Sequence, residues 1–249
     1  MQTIDILWTG GLDSTYLVVR LSTSPDLRIR PHYILDEGRK SQTKELEAIS
    51  HITALLKKHP DTKAEILDLV AVEKSVVAPD ATVTAAWKRL NQAHQLGTQY
   101  DFLARYAKQT DTRLAVGVLF SDRGKVARCL DAGDVLRKTA IGDYDFLVLD
   151  APADKDSHII FGRMYFPAFM RNIEKTDEWA WLACHGYEEI AQSTWFCHRP
   201  VMGLTCGHCH PCQDALHEGM AHRVSTLGYV LGALRRFTYD PVCSILHLK

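Results

Sequence analysis

No stretch of this sequence approaches the roughly 20 consecutive apolar residues that a membrane-crossing helix requires, so an integral-membrane class is not expected. Neither sign of charge prevails: 29 Lys and Arg stand against 30 Asp and Glu, a formal net charge of −1. Such a chain has no global field to draw it to nucleic acid or to an anionic lipid surface, and only a local basic patch would do so. The opening residues Met1–Trp8 lack the basic segment and small-residue cleavage site of a secretory signal and run straight into an apolar segment. Internal repeats and low-complexity tracts are missing as well, which sets aside solenoids and disordered linkers. These absences make the cytoplasm the expected address. Cysteine is sparse outside one place: of the seven, Cys129, Cys184 and Cys243 stand apart, while Cys197, Cys206, Cys209 and Cys212 cluster. Without an export signal, that clustering points to metal rather than to disulfides.

What is present is ordinary globular material, with 46% hydrophobic and 24% charged residues, enough to bury a sizeable core over 249 residues. Apolar runs alternate with helical periodicity through the first two-thirds, the pattern of an α/β fold whose parallel sheet is flanked by helices. Strands are expected at 4–8, 32–35, 64–70, 114–120 and 145–149, and helices at 14–21, 45–57 and 100–108. In the second helix Leu46, Ile49, Ile52 and Leu56 share one face. Residues 71–97 break the rhythm and read as an insertion or lid over the sheet edge. From Met170 onward strands are not expected; 174–185, 187–191 and 213–237 read as helical. The expected organisation is a nucleotide-binding α/β domain over residues 1–170, with a helical, metal-bound module over 171–249 packed on it.

The first chemical signal is the string Trp8-Thr9-Gly10-Gly11-Leu12-Asp13-Ser14-Thr15, between the first apolar strand and the first helix. Adjacent glycines permit a tight left-handed turn and close approach of backbone to ligand. The helix start beyond them offers unpaired N–H groups and the positive end of its dipole. Thr9, Ser14 and Thr15 add hydroxyls, and Asp13 can hold Mg2+ beside phosphates. The string is an anion cradle suited to a phosphate chain, but no lysine follows the glycines in the spacing of a Walker loop. A plain strand–turn–helix connection is the bland alternative.

The second signal has the spacing Cys-x8-Cys-x2-Cys-x2-Cys across Cys197, Cys206, Cys209 and Cys212. Four thiolates complete a closed tetrahedral Zn2+ site, which stitches together a segment too short to form its own core. A Cys-x2-Cys-x2-Cys run also occurs in iron–sulfur ligation, and His198, His208 or His210 can substitute for one cysteine.

The glycine string resembles the Ser-Gly-Gly-x-Asp-Ser signature of the PP-loop ATP pyrophosphatases, with Thr9 in place of the leading serine. Together with Ser193–Cys197 and Cys206–Cys212, it is similar to the 7-cyano-7-deazaguanine synthases of that superfamily. The resemblance covers most of the chain, close at both ends and loose between. It implies a PP-loop fold and ATP cleavage between the α and β phosphates. It further implies adenylation of a carboxylate, that of 7-carboxy-7-deazaguanine, and displacement of AMP by ammonia to give amide and nitrile. ATP, Mg2+ and Zn2+ are the implied cofactors, and a homodimer the implied assembly. Carried over by resemblance, Asp13, Ser14 and Lys175 are the candidate catalytic residues. Trp8–Thr15, Arg39 and Gly117 are the candidate nucleotide contacts. Arg39 and Lys40 lie in a Gly-and-basic turn, Lys175 opens a helix, and Lys44 is a further cation near the turn. Trp179 and Trp181 are expected in the core.

Two departures stand out. Where the synthases carry an acidic, cysteine-containing segment after the position of Gly117, this chain has 118–125 with Arg123 and Lys125, and Arg128 follows. Gly97-Thr98-Gln99 replaces a Gly-Arg-Asn. These changes around the acceptor open a second reading, a synthase-like paralogue of bacterial defence or modification systems. Such an enzyme conjugates the activated deazaguanine to a protein or nucleic-acid amine. A third, non-enzymatic reading is an ATP-binding zinc scaffold. Sulfur transfer by PP-loop thiolases would need a cysteine pair near the loop, and Cys129 and Cys184 are isolated.

Overall fold

Ile4, Ile6 and Trp8 alternate along the first strand and are all buried, the period-2 signature of a strand packed on one face. The computed structural model describes residues 1–120, 124–130 and 134–238, and for 236–238 the backbone alone. The described elements begin with β1 (Gln2–Leu7), α1 (Leu12–Ser22), β2 (Leu27–Leu35), α2 (Gln42–Lys58), β3 (Glu65–Ile66) and β4 (Val70–Glu73). Next come α3 (Ala81–His94), α4 (Gln99–Gln109), β5 (Leu114–Val116), α5 (Lys125–Arg128), β6 (Val135–Ile141) and β7 (Tyr144–Asp150). The rest are α6 (Asp156–Phe161), β8 (Met164–Pro167), α7 (Lys175–Cys184), α8 (Glu188–Ser193), α9 (His210–His217) and α10 (Thr226–Thr238). None of the described helices is long and apolar enough to cross a membrane.

The chain forms two compact units. The first takes Met1–Thr9, Asp13–Asp36 and Thr53–Glu174, and holds the entire described sheet. Strand order is β3-β2-β1-β5-β8-β7-β6, with β4 also paired to β2. β1 runs parallel to β2 and β5, and β5 parallel to β8; β7 is antiparallel to both β6 and β8. The fold is therefore α/β with a mostly parallel, mixed sheet flanked by helices. The core of this unit gathers Leu114 and Val116 of β5, Phe166 of β8, Leu103 and Ala107 of α4, and Phe161 of α6.

Several expectations need correction. The antiparallel edge β6–β7 was not anticipated: β6 is largely exposed, and its Arg137 and Lys138 pair outward with Asp150 and Asp145 of β7. Its charges hide the alternation, although the Gly142-Asp143 turn that joins the two strands is a hairpin signal. The run 64–70 divides into β3 and β4. The run 114–120 keeps only β5, after which Phe120 forms an isolated parallel bridge to Arg171 outside the strands. Residues 71–97 are not a lid. They supply β4, a short 3-10 turn and α3, which buries Val83, Ala86 and Leu90. Asp80 caps α3 by accepting the Val83 N–H at 3.0 Å, and its carboxylate also receives Lys108.

The second unit takes Gly10–Leu12, Glu37–Ile52 and the chain from Lys175 onward. Its described strand-free C-terminal part consists of α7 to α10 and a 3-10 turn at Ala221–Arg223. Trp179 and Trp181 are half-buried rather than core. Trp181 stacks on His185 with ring centroids 4.0 Å apart, and Trp179 meets His222 edge-on. Arg223 lies over both Trp179 and Phe196 and donates to the Thr194 carbonyl at 3.0 Å. Cys243 lies outside the described residues.

Candidate functional site

The chain leaves β1 for β2 on one side and returns later as β5 on the other, so β1 sits at a switch point of the strand order. In open α/β sheets, ligands bind outside the carboxyl ends of the strands at such a point. The segment from Trp8 to Thr15 follows the carboxyl end of β1, and Gly117 follows that of β5.

Within the first unit the segment is locked by its own hydroxyls. Trp8 and Thr15 are completely buried, and the indole N–H donates to the Thr15 Oγ1 at 3.0 Å. The Thr9 N–H donates to the Ser14 Oγ at 3.3 Å, and the two hydroxyls meet at 3.2 Å. Trp8 and Thr15 are thus struts beneath the turn, while Thr9 and Asp13 are only partly buried. Asp13 stands in the first turn of the 11-residue α1, where a carboxylate complements the helix dipole. Gly117 meets this turn from the neighbouring strand. A Cβ on it would lie 2.6 Å from the Ser14 Cα and 2.7 Å from the Asp13 carbonyl oxygen. Close strand–helix packing therefore accounts for the glycine, as for one of the glycines of dinucleotide-binding turns.

Within the second unit, Gly10 adopts φ +69°, a left-handed conformation that favours glycine. A Cβ there would also stand 2.9 Å from the Glu45 carbonyl oxygen and 3.2 Å from Ala48. The Gly10 carbonyl accepts the Trp195 N–H at 2.8 Å. Gly11 is partly buried and Leu12 is buried as an apolar anchor. Arg39 pairs through Nε with the buried Glu45 carboxylate at 2.9 Å, and the Ser41 hydroxyl donates to the same oxygen at 2.6 Å. Lys44 pairs with Glu47 at 2.7 Å and lies over the Trp195 ring at 6.0 Å. Lys175 opens α7 and pairs with Glu218 at 2.9 Å. Lys125 and Arg128 are exposed on α5, and Arg123 lies outside the described residues.

The four clustered cysteines are all buried, and their sulfurs lie within 4.8 Å of one another. Cys209 is 3.4 Å from Cys212 and 3.8 Å from Cys197, and Cys206 is 4.0 Å from Cys212. Four sulfurs placed tetrahedrally about 2.3 Å from a zinc ion would be about 3.8 Å apart, so the set fits one ion. The turn is pre-formed: the Cys206 N–H donates to the Cys197 sulfur at 3.2 Å and the Cys209 N–H to the Cys206 sulfur at 3.3 Å. His208 donates instead to the Cys206 carbonyl at 2.9 Å, and His210 pairs with Asp214 at 2.7 Å. Contact with the Cys197 and Cys212 sulfurs holds the Cys209 thiol below its ordinary range, and contact with Cys209 pushes the Cys197 thiol up. A metal takes cysteine as the thiolate, so binding here would release protons.

No family model and no curated protein matches this chain.

The residues brought together fall into three groups. Trp8, Thr9, Asp13, Ser14, Thr15 and Gly117 meet in the first unit. Gly10 meets the start of α2 and Trp195 in the second, and the four cysteines meet one another there. The Arg39–Ser41–Glu45 array was not anticipated from the sequence. Its only local sign is Ser41 immediately before α2, a residue type favoured at a helix start.

Proposed function

We propose that this chain is a cytoplasmic, AMP-forming carbon–nitrogen ligase of the PP-loop type. Its acceptor is a carboxylate such as that of 7-carboxy-7-deazaguanine. The observation that carries the reading is the hydroxyl-lined glycine turn at the β1 switch point, with α1 starting behind it.

In this reading the phosphates of ATP lie along Thr9–Ser14, against backbone N–H groups and the Thr9 and Ser14 hydroxyls. The substrate carboxylate oxygen attacks the α-phosphorus, and the bond to the β-phosphate oxygen breaks to release pyrophosphate. Ammonia then adds to the acyl carbon of the adenylate, and AMP departs with the carboxylate oxygen it received. Arg39 and Lys175 offset charge on the pyrophosphate, positioned donors being the main source of rate in phosphoryl chemistry. Asp13 is the residue to hold Mg2+, which would neutralise phosphate charge. The four cysteines would hold Zn2+ in a closed site whose role is structural.

The test incubates the protein with ATP, Mg2+, 7-carboxy-7-deazaguanine and ammonium, and reads AMP and products by mass spectrometry. Amide or nitrile formed with AMP, and lost in Asp13→Ala while the fold persists, supports the reading. Absence of AMP from the wild-type protein refutes it with this acceptor. AMP formed only when a protein or nucleic acid is added assigns the nucleophile to a macromolecular amine.

A further inference from the structure

Glu45 occupies an unusual position for a carboxylate: it is 3% exposed, in the first turns of α2. Burying a charged group is costly unless it is paired and hydrogen-bonded, and here the partners are specific. The Ser41 hydroxyl donates to Oε1 at 2.6 Å, and the Arg39 Nε–H donates to the same oxygen at 2.9 Å. Only the Nε edge of Arg39 is engaged; among the described residues its terminal Nη groups make no hydrogen bond, and the side chain is about a third exposed. Guanidinium is a rigid fork, so fixing one edge fixes where the other points.

The main chain of the same glutamate does a second thing. Its carbonyl oxygen abuts the Gly10 Cα, where an added Cβ would come within 2.9 Å. One residue therefore sets both the seat of the glycine turn and the aim of a guanidinium that retains four N–H donors. Gly10, Arg39, Ser41 and Glu45 all belong to the second unit. A surface arginine serving only solubility needs neither a buried carboxylate nor a hydroxyl brace.

We propose that Glu45 and Ser41 are positioning residues that hold Arg39 as an anion clamp for the phosphate chain at the glycine turn. The proposal rests on the nucleotide-binding reading above. Arg39 touches the phosphates; Glu45 and Ser41 act through it. The carboxylate on Nε holds the fork in place and leaves the Nη donors to the ligand.

Glu45→Gln is the informative variant, because an amide keeps the shape and the contact with Ser41 and leaves no buried charge. Direct removal in Arg39→Ala strands the Glu45 carboxylate and can disturb the fold, so it is read only beside the double variant Arg39→Ala/Glu45→Gln. ATP and inorganic pyrophosphate are titrated calorimetrically into wild type and all three variants, with thermal unfolding recorded on each. The expected result is wild-type binding of both ligands, weakened about tenfold in Glu45→Gln, the size of one charge-assisted hydrogen bond. The double variant should bind no more weakly than Arg39→Ala alone, since Glu45 acts only through Arg39. Unchanged affinity in Glu45→Gln, or losses that simply add in the double variant, overturns the clamp while leaving the nucleotide reading intact. Failure of the wild-type protein to bind either ligand overturns both.

Discussion

Replacing Gly117 with alanine is the sharpest structural probe of the candidate site. The added methyl would sit 2.6 Å from the Ser14 Cα and 2.7 Å from the Asp13 carbonyl oxygen. Carbon pairs rest at about 3.5–4.0 Å, so the shortfall is about 1 Å, and both neighbours are backbone. The strand cannot simply retreat, because β5 is hydrogen-bonded to β1 on one side and β8 on the other. The strain must be taken up by the first turn of α1. Overpacking of this kind costs about 1–3 kcal/mol, or about 0.5–1.5 M in urea midpoint at a slope near 2 kcal/mol/M. A 1 Å displacement of a positioning element costs about a hundredfold in rate, so under the proposed ligase reading AMP formation should fall further than the stability loss alone implies. Gly97→Ala is the control: its Cβ finds only the Gln99 Cγ at 3.9 Å, and the substitution should be neutral or stabilising by about 0.4–1 kcal/mol. Equilibrium urea unfolding and AMP release are measured on both. A Gly117→Ala protein within 0.5 kcal/mol of wild type, by order of magnitude the scatter of surface substitutions, would refute the close-packing argument.

Two further predictions follow from the cysteine cluster and from α3. Purified protein should carry about one zinc per chain by elemental analysis, with an all-sulfur shell in X-ray absorption. Cys209→Ser should lose the metal together with the cooperative unfolding of the C-terminal module, because binding at a structural site is folding energy. Asp80 lies below its ordinary 3.8, first through the Lys108 hydrogen bond and then through the Val83 N–H. Its folded value is depressed, so its contribution is present above pH 3.8 and is lost as the pH falls through the lower folded value. Asp80→Ala should cost about 1 kcal/mol at neutral pH, whereas Asp80→Asn should keep most of the cap and flatten the acid limb of the stability profile.

The parts of the fold that were legible are those whose signal is local. β1 alternates, α2 and α4 repeat their apolar residues at helical spacing, and the burial of Ile49, Ile52, Leu103 and Ala107 follows that spacing. β6 was illegible because its exposed positions carry Arg137 and Lys138, whose partners are supplied across the hairpin by β7. β8 is four residues long and ends in Pro167, too short for periodicity to speak. Residues 71–97 read as an insertion or lid because nothing in them announces that Val83, Ala86 and Leu90 have a core to enter.

The site divides the same way. A left-handed Gly10, hydroxyls on either side of a turn and the convergence of Cys-x2-Cys thiols are properties of short stretches, since backbone torsion and ligand reach act over a few residues. The sequence by itself therefore determined the α/β class, the glycine turn and the four-cysteine cluster. The tertiary structure alone decided that Gly117 is small because α1 lies against it, although about a hundred residues separate it from Ser14. It decided likewise that Trp8 and Thr15 brace each other in the interior, and that the mixed sheet ends in an antiparallel edge. Close packing selects these arrangements through contacts between distant segments, and no local periodicity encodes which segments those are.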